Sequence, residues 1–227
     1  MQKLKYNNEP IVILFGGARR ENIILKLIKN GYHIKKIIFP SKQSLELKKS
    51  IVKLKKTKIR SSVIKKNQIK SVLNKFNDCL LFSIGFSYII PEEVFSNYTL
   101  ALNLHPTLLP KYKGPTTGAY ILQNNEKITG STIHIMTKKV DDGDILGKSC
   151  VKLNPFDTIK SMQKKVYQLE PNLTLSIFEK LKKGIRPVKQ GKKYASSFPK
   201  IRKPEDSKIS LYKPMINLIN DIRACDH

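Results

Sequence analysis

An amide, an imidazole and a carboxylate pair are the side chains of this chain whose types and spacing could do chemistry. Asn103 and His105 lie two residues apart, so in an extended segment both side chains point the same way. An acidic turn follows, in which Asp141 lies 36 residues after the histidine and Asp142 comes next. Asn103 can donate to an oxyanion, and Asp141 can orient the imidazole or stabilise its cation. His105 can transfer protons because an unperturbed imidazole has a pKa of about 6.5.

Alternating strands and helices precede these residues and must position them. Residues 11–15 form an all-apolar run that predicts a buried parallel strand, and a helix with apolar positions 23, 24, 27 and 28 follows. Further strands are predicted at 33–39, 59–63 and 79–84, and further helices within 41–56 and at 66–76. This βαβα order predicts an α/β fold, a Rossmann-like, mostly parallel twisted sheet with helices on both faces.

The second half of the chain continues this pattern around the candidate residues. A strand at 99–103 leads into the histidine loop, and a helix is predicted at 115–123. Strands at 131–136 and 145–153 flank the acidic turn, and a long helix spans 157–183 before Gly184. We expect a catalytic domain over residues 1–184 and a C-terminal connector or tail over residues 185–227.

The charge of the chain leaves two interpretations open. The net charge is +26, from 43 Lys and Arg of which only six are Arg. Because Arg is the favoured residue for bidentate phosphate and base recognition, the excess of Lys favours compositional bias over a dedicated polyanion surface. The sequence has no long apolar run, no apolar signal core and three scattered cysteines, which predicts a cytoplasmic location without a membrane partner.

Four segments together carry a resemblance to a known family. They are Asn103-Leu104-His105-Pro106, the loop Leu108-Leu109-Pro110-Lys111-Tyr112-Lys113-Gly114, the turn Val140-Asp141-Asp142-Gly143-Asp144-Ile145 and the run from Phe82 to Pro91. This combination resembles the folate-dependent formyltransferases, which move a formyl group from 10-formyltetrahydrofolate to an amine. The resemblance covers roughly residues 10–180, and the tail more loosely.

The resemblance implies a role for individual residues. Asn103, His105 and Asp141 match the catalytic triad of the family, whereas Asp142 matches a turn or folate-contact position and Asp144 a structural one. The implied folate contacts are Ser83, Gly85, Ile89, Leu108, Pro110, Gly114, Val140 and Asp142. The acceptor is expected near Gly16, Arg19, Lys111 and Thr116, and no metal is expected.

The resemblance also bears on which amine is the acceptor. Residues 16–22 lack the Gly-Asn-Gly-Ser-Asn loop of glycinamide ribonucleotide formyltransferases, and the sequence given ends without the C-terminal barrel of methionyl-tRNA formyltransferases. The tail from Lys192 to Ala224 resembles the connector of sugar-nucleotide N-formyltransferases, so we expect a minimal or truncated member of that group. The expected partners are folate and a nucleotide-linked amino sugar, with a homodimer left open.

Several alternatives remain beside this interpretation. The chain could be a methionyl-tRNA formyltransferase without its extra domain, an enzyme similar to glycinamide ribonucleotide formyltransferase, or a polyanion- or RNA-binding protein on this scaffold. His134 is expected to be structural, and Glu170-Pro171 to mark a helix kink. Gly16-Gly17 is either a plain turn or a phosphate-facing loop, with the following Arg19 and Arg20 in favour of the second.

Overall fold

Seven strands form one sheet in the computed structural model, which describes residues 3–198, 204–210 and 212–225. The strands are β1 (Ile11–Phe15), β2 (Ile34–Pro40), β3 (Ser61–Ile64), β4 (Leu80–Ile84), β5 (Leu100–His105), β6 (Ile128–Ile135) and β7 (Ile145–Lys152). The helices are α1 (Asn22–Lys29), α2 (Leu45–Lys55), α3 (Ile69–Leu73), α4 (Glu92–Phe95), α5 (Gly118–Gln123), α6 (Ile159–Lys183) and α7 (Met215–Arg223), with 3-10 turns at Lys66–Gln68 and Pro204–Ser207.

The strand order is β3-β2-β1-β4-β5-β6-β7, and the first five strands are parallel. β6 and β7 each run antiparallel to the strand before them. The predicted α/β class with a mostly parallel sheet is confirmed. Because the chain steps from β1 to β2 on one side and later returns to β4 on the other, a crevice opens between the turns that follow β1 and β4.

Strand β1 shows why both faces of the sheet are covered. Its five residues are fully buried, which fits a central strand flanked by two layers. Ile11, Ile13 and Phe15 pack with residues of α1 and α6, whereas Val12 and Leu14 pack with residues of α3 and α4. The apolar run that predicted this strand therefore has partners on each face.

Some element boundaries differ from the prediction for local reasons. The helix predicted at 115–123 begins only at Gly118, because Thr116 adopts a positive φ of 50° that a helix cannot contain. The strand predicted from 131 begins at Ile128, which pairs with Lys152 of β7. The helix predicted at 66–76 is a 3-10 turn followed by the five residues of α3. No helix in the described ranges is long and apolar enough to cross a membrane.

The first part of the predicted tail returns to the sheet. Isolated bridges join Leu4 to Ile185, Ile145 to Val188, and Lys113 to Ser197. Residues 199–203, 211 and 226–227 of that predicted tail lie outside the described residues. The division into a domain and a connector at residue 184 stays a prediction.

Candidate active site

Strand β5 brings the predicted amide and imidazole to one end of the sheet. Asn103 pairs with Ser83 of parallel β4 on one side and with His134 of antiparallel β6 on the other. His105 is the last residue of β5, next to the crevice. The sequence spacing of two residues thus places both groups on one side of a central strand, as predicted.

A cavity of about 740 Å³ opens at the carboxyl ends of β1, β4 and β5. Eleven of the sequence-predicted site residues line it: Gly16, Arg19, Ser83, Gly85, Ile89, Asn103, His105, Gly114, Thr116, Val140 and Asp141. Gly16 is needed where two turns cross, because a Cβ there would lie 2.4 Å from the carbonyl oxygen of Gly85. The structure therefore brings all three predicted catalytic residues together with most of the predicted contact residues.

Four predicted site residues do not line this cavity. The Nζ of Lys111 lies 2.8 Å from a Glu126 carboxylate oxygen, on the far side of the loop. Asp142 bonds Lys113 and lies 3.5 Å from the Nζ of Lys139. Leu108 and Pro110 are half-buried within the loop itself. None of these four residues lines the cavity, so their predicted folate and acceptor roles stay predictions.

His105 has one of its ring nitrogens committed to the backbone. Its Nε2 lies 2.8 Å from the carbonyl oxygen of Tyr112, and a carbonyl only accepts, so Nε2 bears a proton. The Nδ1 lies 3.5 Å from Asp141 Oδ2. Burial lowers the pKa of His105 below its usual 6.5, an effect that the negative charge of Asp141 and the Tyr112 hydrogen bond oppose. A neutral ring at pH 7 therefore has its free lone pair on Nδ1.

Asp141 is a buried carboxylate held ionised by its neighbours. Its Oδ2 accepts the backbone N–H of Gly114 at 2.9 Å, and its Oδ1 accepts from Asn103 Nδ2 at 3.3 Å. Burial alone would raise its pKa, but the hydrogen bond from His134 and the charge of His105 lower the pKa of Asp141 to about 2. The group is thus a fixed negative charge beside the imidazole.

His134 is a site residue that the sequence analysis missed. We expected a structural side chain, but its Nε2 lies 3.1 Å from Asn103 Nδ2 and 3.4 Å from Asp141 Oδ1. Its side chain is buried and lines the cavity. The only sequence signal was a histidine in a strand whose other central positions are small or apolar. Its position opposite Asn103 depends on the β5–β6 register, which the sequence does not show.

Arg20 is not the phosphate-facing residue that its position after Gly16-Gly17 suggested. Its guanidinium makes two bonds to Glu170, at 2.6 Å and 2.7 Å, and both side chains are almost completely buried. Ser131 Oγ donates to the same carboxylate at 2.6 Å. Glu170 therefore has an ionic partner where we expected only a helix kink, although Pro171 does lie inside α6. Of the adjacent pair, Arg19 is the exposed one, with Gln163 Oε1 at 3.2 Å from its guanidinium.

Comparisons with known proteins show the family to which the chain belongs. A sequence model described as formyl transferase matches residues 12–177. A methionyl-tRNA formyltransferase of Thermotoga sp. (strain RQ2) is 28% identical over 90% of this chain and 68% of its own length. The bifunctional polymyxin resistance protein ArnA of Wigglesworthia glossinidia brevipalpis is 34% identical over 87% of this chain and 32% of its own.

A solved structure shows the same fold at low sequence identity. The N-formyltransferase of Helicobacter canadensis, in complex with folinic acid and dTDP-3-aminofucose, has a TM-score of 0.76 and 21% identity. The similarity covers 95% of this chain and 80% of that one. The family resemblance drawn from the sequence is confirmed: this chain belongs to the formyl transferase family.

Proposed function

We propose that the chain transfers the formyl group of 10-formyltetrahydrofolate to the amine of a nucleotide-linked amino sugar. The observation that supports this most directly is the cavity itself, whose lining contains Asn103, His105 and Asp141 together with the exposed Arg19. The similar fold of a relative crystallised with a folate and a nucleotide amino sugar supports the same pair of substrates.

Formyl transfer to an amine needs a proton to move from the attacking nitrogen to the departing folate nitrogen. The amine forms a bond to the formyl carbon, and the carbon–N10 bond of folate then breaks. The Nδ1 of neutral His105 can accept the amine proton, and Asp141 at 3.5 Å stabilises the imidazolium that results. The imidazolium can give this proton to N10 of the folate, and the folate leaves as tetrahydrofolate.

The tetrahedral intermediate also carries a negative oxygen. Asn103 supplies a neutral donor that does not titrate. Its Nδ2 lies 3.1 Å from His134 Nε2 and 3.3 Å from Asp141 Oδ1, which restricts its rotation, and one of these two contacts is exchanged for the oxyanion. A donor fixed before the reaction stabilises developing charge more than a mobile one. We therefore assign Asn103 to the oxyanion, with His134 as its support.

The two substrates are assigned to different residues of the lining. Ser83 lies in β4, Gly85 and the largely exposed Ile89 follow that strand, and Val140 precedes Asp141, so these residues suit the folate. Gly16, Arg19 and Thr116 lie at the turn after β1 and before α5 and suit the acceptor. Arg19 can meet a nucleotide phosphate because its guanidinium is exposed, whereas that of Arg20 is neutralised by Glu170.

The test is a comparison of acceptors. Wild-type protein is supplied with 10-formyltetrahydrofolate and, in turn, 3- and 4-amino-sugar nucleotides, glycinamide ribonucleotide and charged methionyl-tRNA, and the appearance of tetrahydrofolate is read by absorbance. We expect kcat/KM to be highest for an amino-sugar nucleotide and Arg19→Met to lower it chiefly through KM. Turnover with methionyl-tRNA alone would refute the amino-sugar assignment.

A second acceptor, tRNA, is favoured by the distribution of charge. Residues 26–75 contain sixteen Lys and Arg and one Glu, whereas residues 76–160 contain eight of each sign. This basic segment adjoins the cavity, because the Ser41 and Tyr88 hydroxyls lie 2.9 Å apart and Ser50 Oγ accepts from the Arg19 backbone N–H at 2.9 Å. A phosphate backbone on this surface would reach the site. The 28% identity to a methionyl-tRNA formyltransferase supports the same candidate.

A further inference from the structure

The segment after α6 crosses the turn that contains Asp141. Val188 and Ile145 exchange backbone hydrogen bonds of 2.8 Å at the start of β7, which places the next residues against residues 141–144. Gln190 follows two positions later and lies beyond the residues that the family model matches. Among the described residues of this segment, Gln190 is the one whose side chain makes hydrogen bonds to the turn.

Gln190 donates two hydrogen bonds to that turn. Its Nε2 lies 2.9 Å from the carbonyl oxygen of Asp141 and 2.8 Å from that of Gly143. Because both partners only accept, the amide must present its NH₂ group, and its Oε1 is buried without a hydrogen-bond partner in the described part of the chain. A buried acceptor left without a donor costs free energy, so the donors must compensate for it.

The turn needs such support because its backbone is strained. Asp141 has a φ of 55°, a left-handed conformation that non-glycine residues rarely adopt. Gly143 lies so close to β6 that a Cβ would be 1.9 Å from the carbonyl oxygen of Ile135. A strained conformation persists only when its surroundings determine it, and Gln190 binds the carbonyls on both sides of the bend.

The same segment also holds the loop that faces Asp141. The Ser196 carbonyl accepts from the Lys113 N–H at 2.9 Å, and the Phe198 N–H donates to the Lys113 carbonyl at 2.8 Å. The loop supplies the Gly114 N–H to the carboxylate of Asp141 and the Tyr112 carbonyl to His105. Residues 188–198 therefore contact both the turn that contains Asp141 and the loop that binds His105, the two residues whose side chains are 3.5 Å apart.

We propose that Gln190 is a positioning residue for the Asp141 carboxylate. The proposal rests on the role assigned to Asp141 under the proposed function. Gln190 touches neither substrate; it fixes the backbone from which the carboxylate reaches His105. The charged and titratable groups that face His105 are Asp141 from the acidic turn, His134 from β6 and Arg20 from the β1–α1 turn.

The experiment compares Gln190→Met, which keeps the length and removes both donors, with Lys189→Met at the exposed neighbouring position. The first readout needs no substrate: the titration of the His105 imidazole by NMR, assigned from the spectrum of His105→Gln. We expect Gln190→Met to move the midpoint to lower pH, because the carboxylate no longer holds its place beside the ring. Lys189→Met is expected to leave it unchanged.

The second readout is turnover. We expect Gln190→Met to lower kcat by about tenfold to a hundredfold, the size of effect that a small misplacement of a reacting group produces, with the folate KM within about twofold. Gln190→Asn has a shorter side chain whose amide cannot reach both carbonyls, so its kcat should lie between that of wild type and that of Gln190→Met. It replaces Gln190→Met in both readouts if the Met variant does not fold. An unchanged His105 midpoint in a folded variant would overturn the proposal, whichever acceptor the enzyme uses. Absence of wild-type turnover with amino-sugar nucleotides would instead count against the proposed function.

Discussion

His105 can meet the substrates through one ring nitrogen, and the charge beside that nitrogen sets its pH dependence. The proton on Nε2 is held by the Tyr112 carbonyl, so Nδ1 is the ring nitrogen that we propose as the base. Burial lowers the pKa of the ring below 6.5, so the active neutral form predominates at pH 7. The rate should rise with pH along an acid limb whose midpoint lies below 6.5 and be constant through neutral pH.

Replacement of the carboxylate beside His105 gives the first prediction. Asp141→Asn removes a negative charge that opposes the effect of burial, so the His105 pKa should fall further and the acid limb should move to lower pH. We also expect kcat to fall by about a hundredfold or more, within the range for general acid–base groups. The measurement is kcat/KM against pH for wild type and variant.

Asp142→Asn is the matched control for that measurement. The Asp142 side chain lies outside the cavity wall and pairs with Lys113 and Lys139, and only one of these lysines is buried. Its removal should leave the acid limb in place and cost far less activity. If Asp142→Asn reduced kcat more than Asp141→Asn, the wrong carboxylate would have been assigned.

At the scale of elements, one buried ion pair joins the β1–α1 turn to α6 at the back of the site. Arg20 and Glu170 are separated by 150 residues, and their side chains are 2% and 0% exposed. Ser131 of β6 binds the same carboxylate, and the Arg20 guanidinium lies 5.1 Å from the centre of the Tyr167 ring. The pair therefore connects three elements whose ends line the cavity.

Removal of one member of this pair should be far more costly than removal of both. Arg20→Met leaves Glu170 as an uncompensated buried charge, which typically lowers the free energy of unfolding by about 3–5 kcal/mol. Arg20→Met with Glu170→Met should recover a large part of this loss. Denaturant unfolding measures the free energy of unfolding of the single and the double variant. The control is Arg19→Met, at the exposed neighbouring position, whose free energy of unfolding should stay within about 0.5 kcal/mol of wild type. Wild-type stability in Arg20→Met would show that the pair contributes nothing.

The sequence predicted the elements that depend on local pattern and missed the contacts that depend on long-range register. Strand β1 was predicted to the residue because all five of its side chains are apolar and buried. The triad could be predicted because two short sequence motifs match the pattern of the family. His134, Arg20 and Gln190 could not, since each acquires its role from a residue more than 30 positions away.

At the scale of the whole molecule, charge and chemistry are separated along the chain. The net charge of +26 resides largely in residues 26–75 and in the C-terminal third, while residues 76–160, which contain the triad, are neutral in sum. A small sugar nucleotide needs only the local cations of the cavity, whereas tRNA would use the surface beyond it. The two candidate acceptors therefore differ in how they respond to salt and to charge removal.

Neutralisation of the basic segment distinguishes between the two candidate acceptors, an amino-sugar nucleotide and tRNA. A variant with Lys48, Lys55, Lys56 and Lys58 changed to Gln should keep kcat/KM for an amino-sugar nucleotide within about threefold at physiological salt, because salt screens exposed charges that do not line the cavity. Its control carries the same change at the exposed Lys127, Lys152, Lys180 and Lys183. A large loss confined to the first variant, together with a steep fall of activity with salt, would indicate a nucleic-acid acceptor.

The most direct test of the account is the mass of the acceptor after incubation with 10-formyltetrahydrofolate and either wild type or His105→Ala. The account predicts that an amino-sugar nucleotide gains one formyl group with wild type and none with His105→Ala, while both proteins bind folate with similar affinity. Formylation at a near-normal rate by His105→Ala would contradict the assignment of the catalytic site.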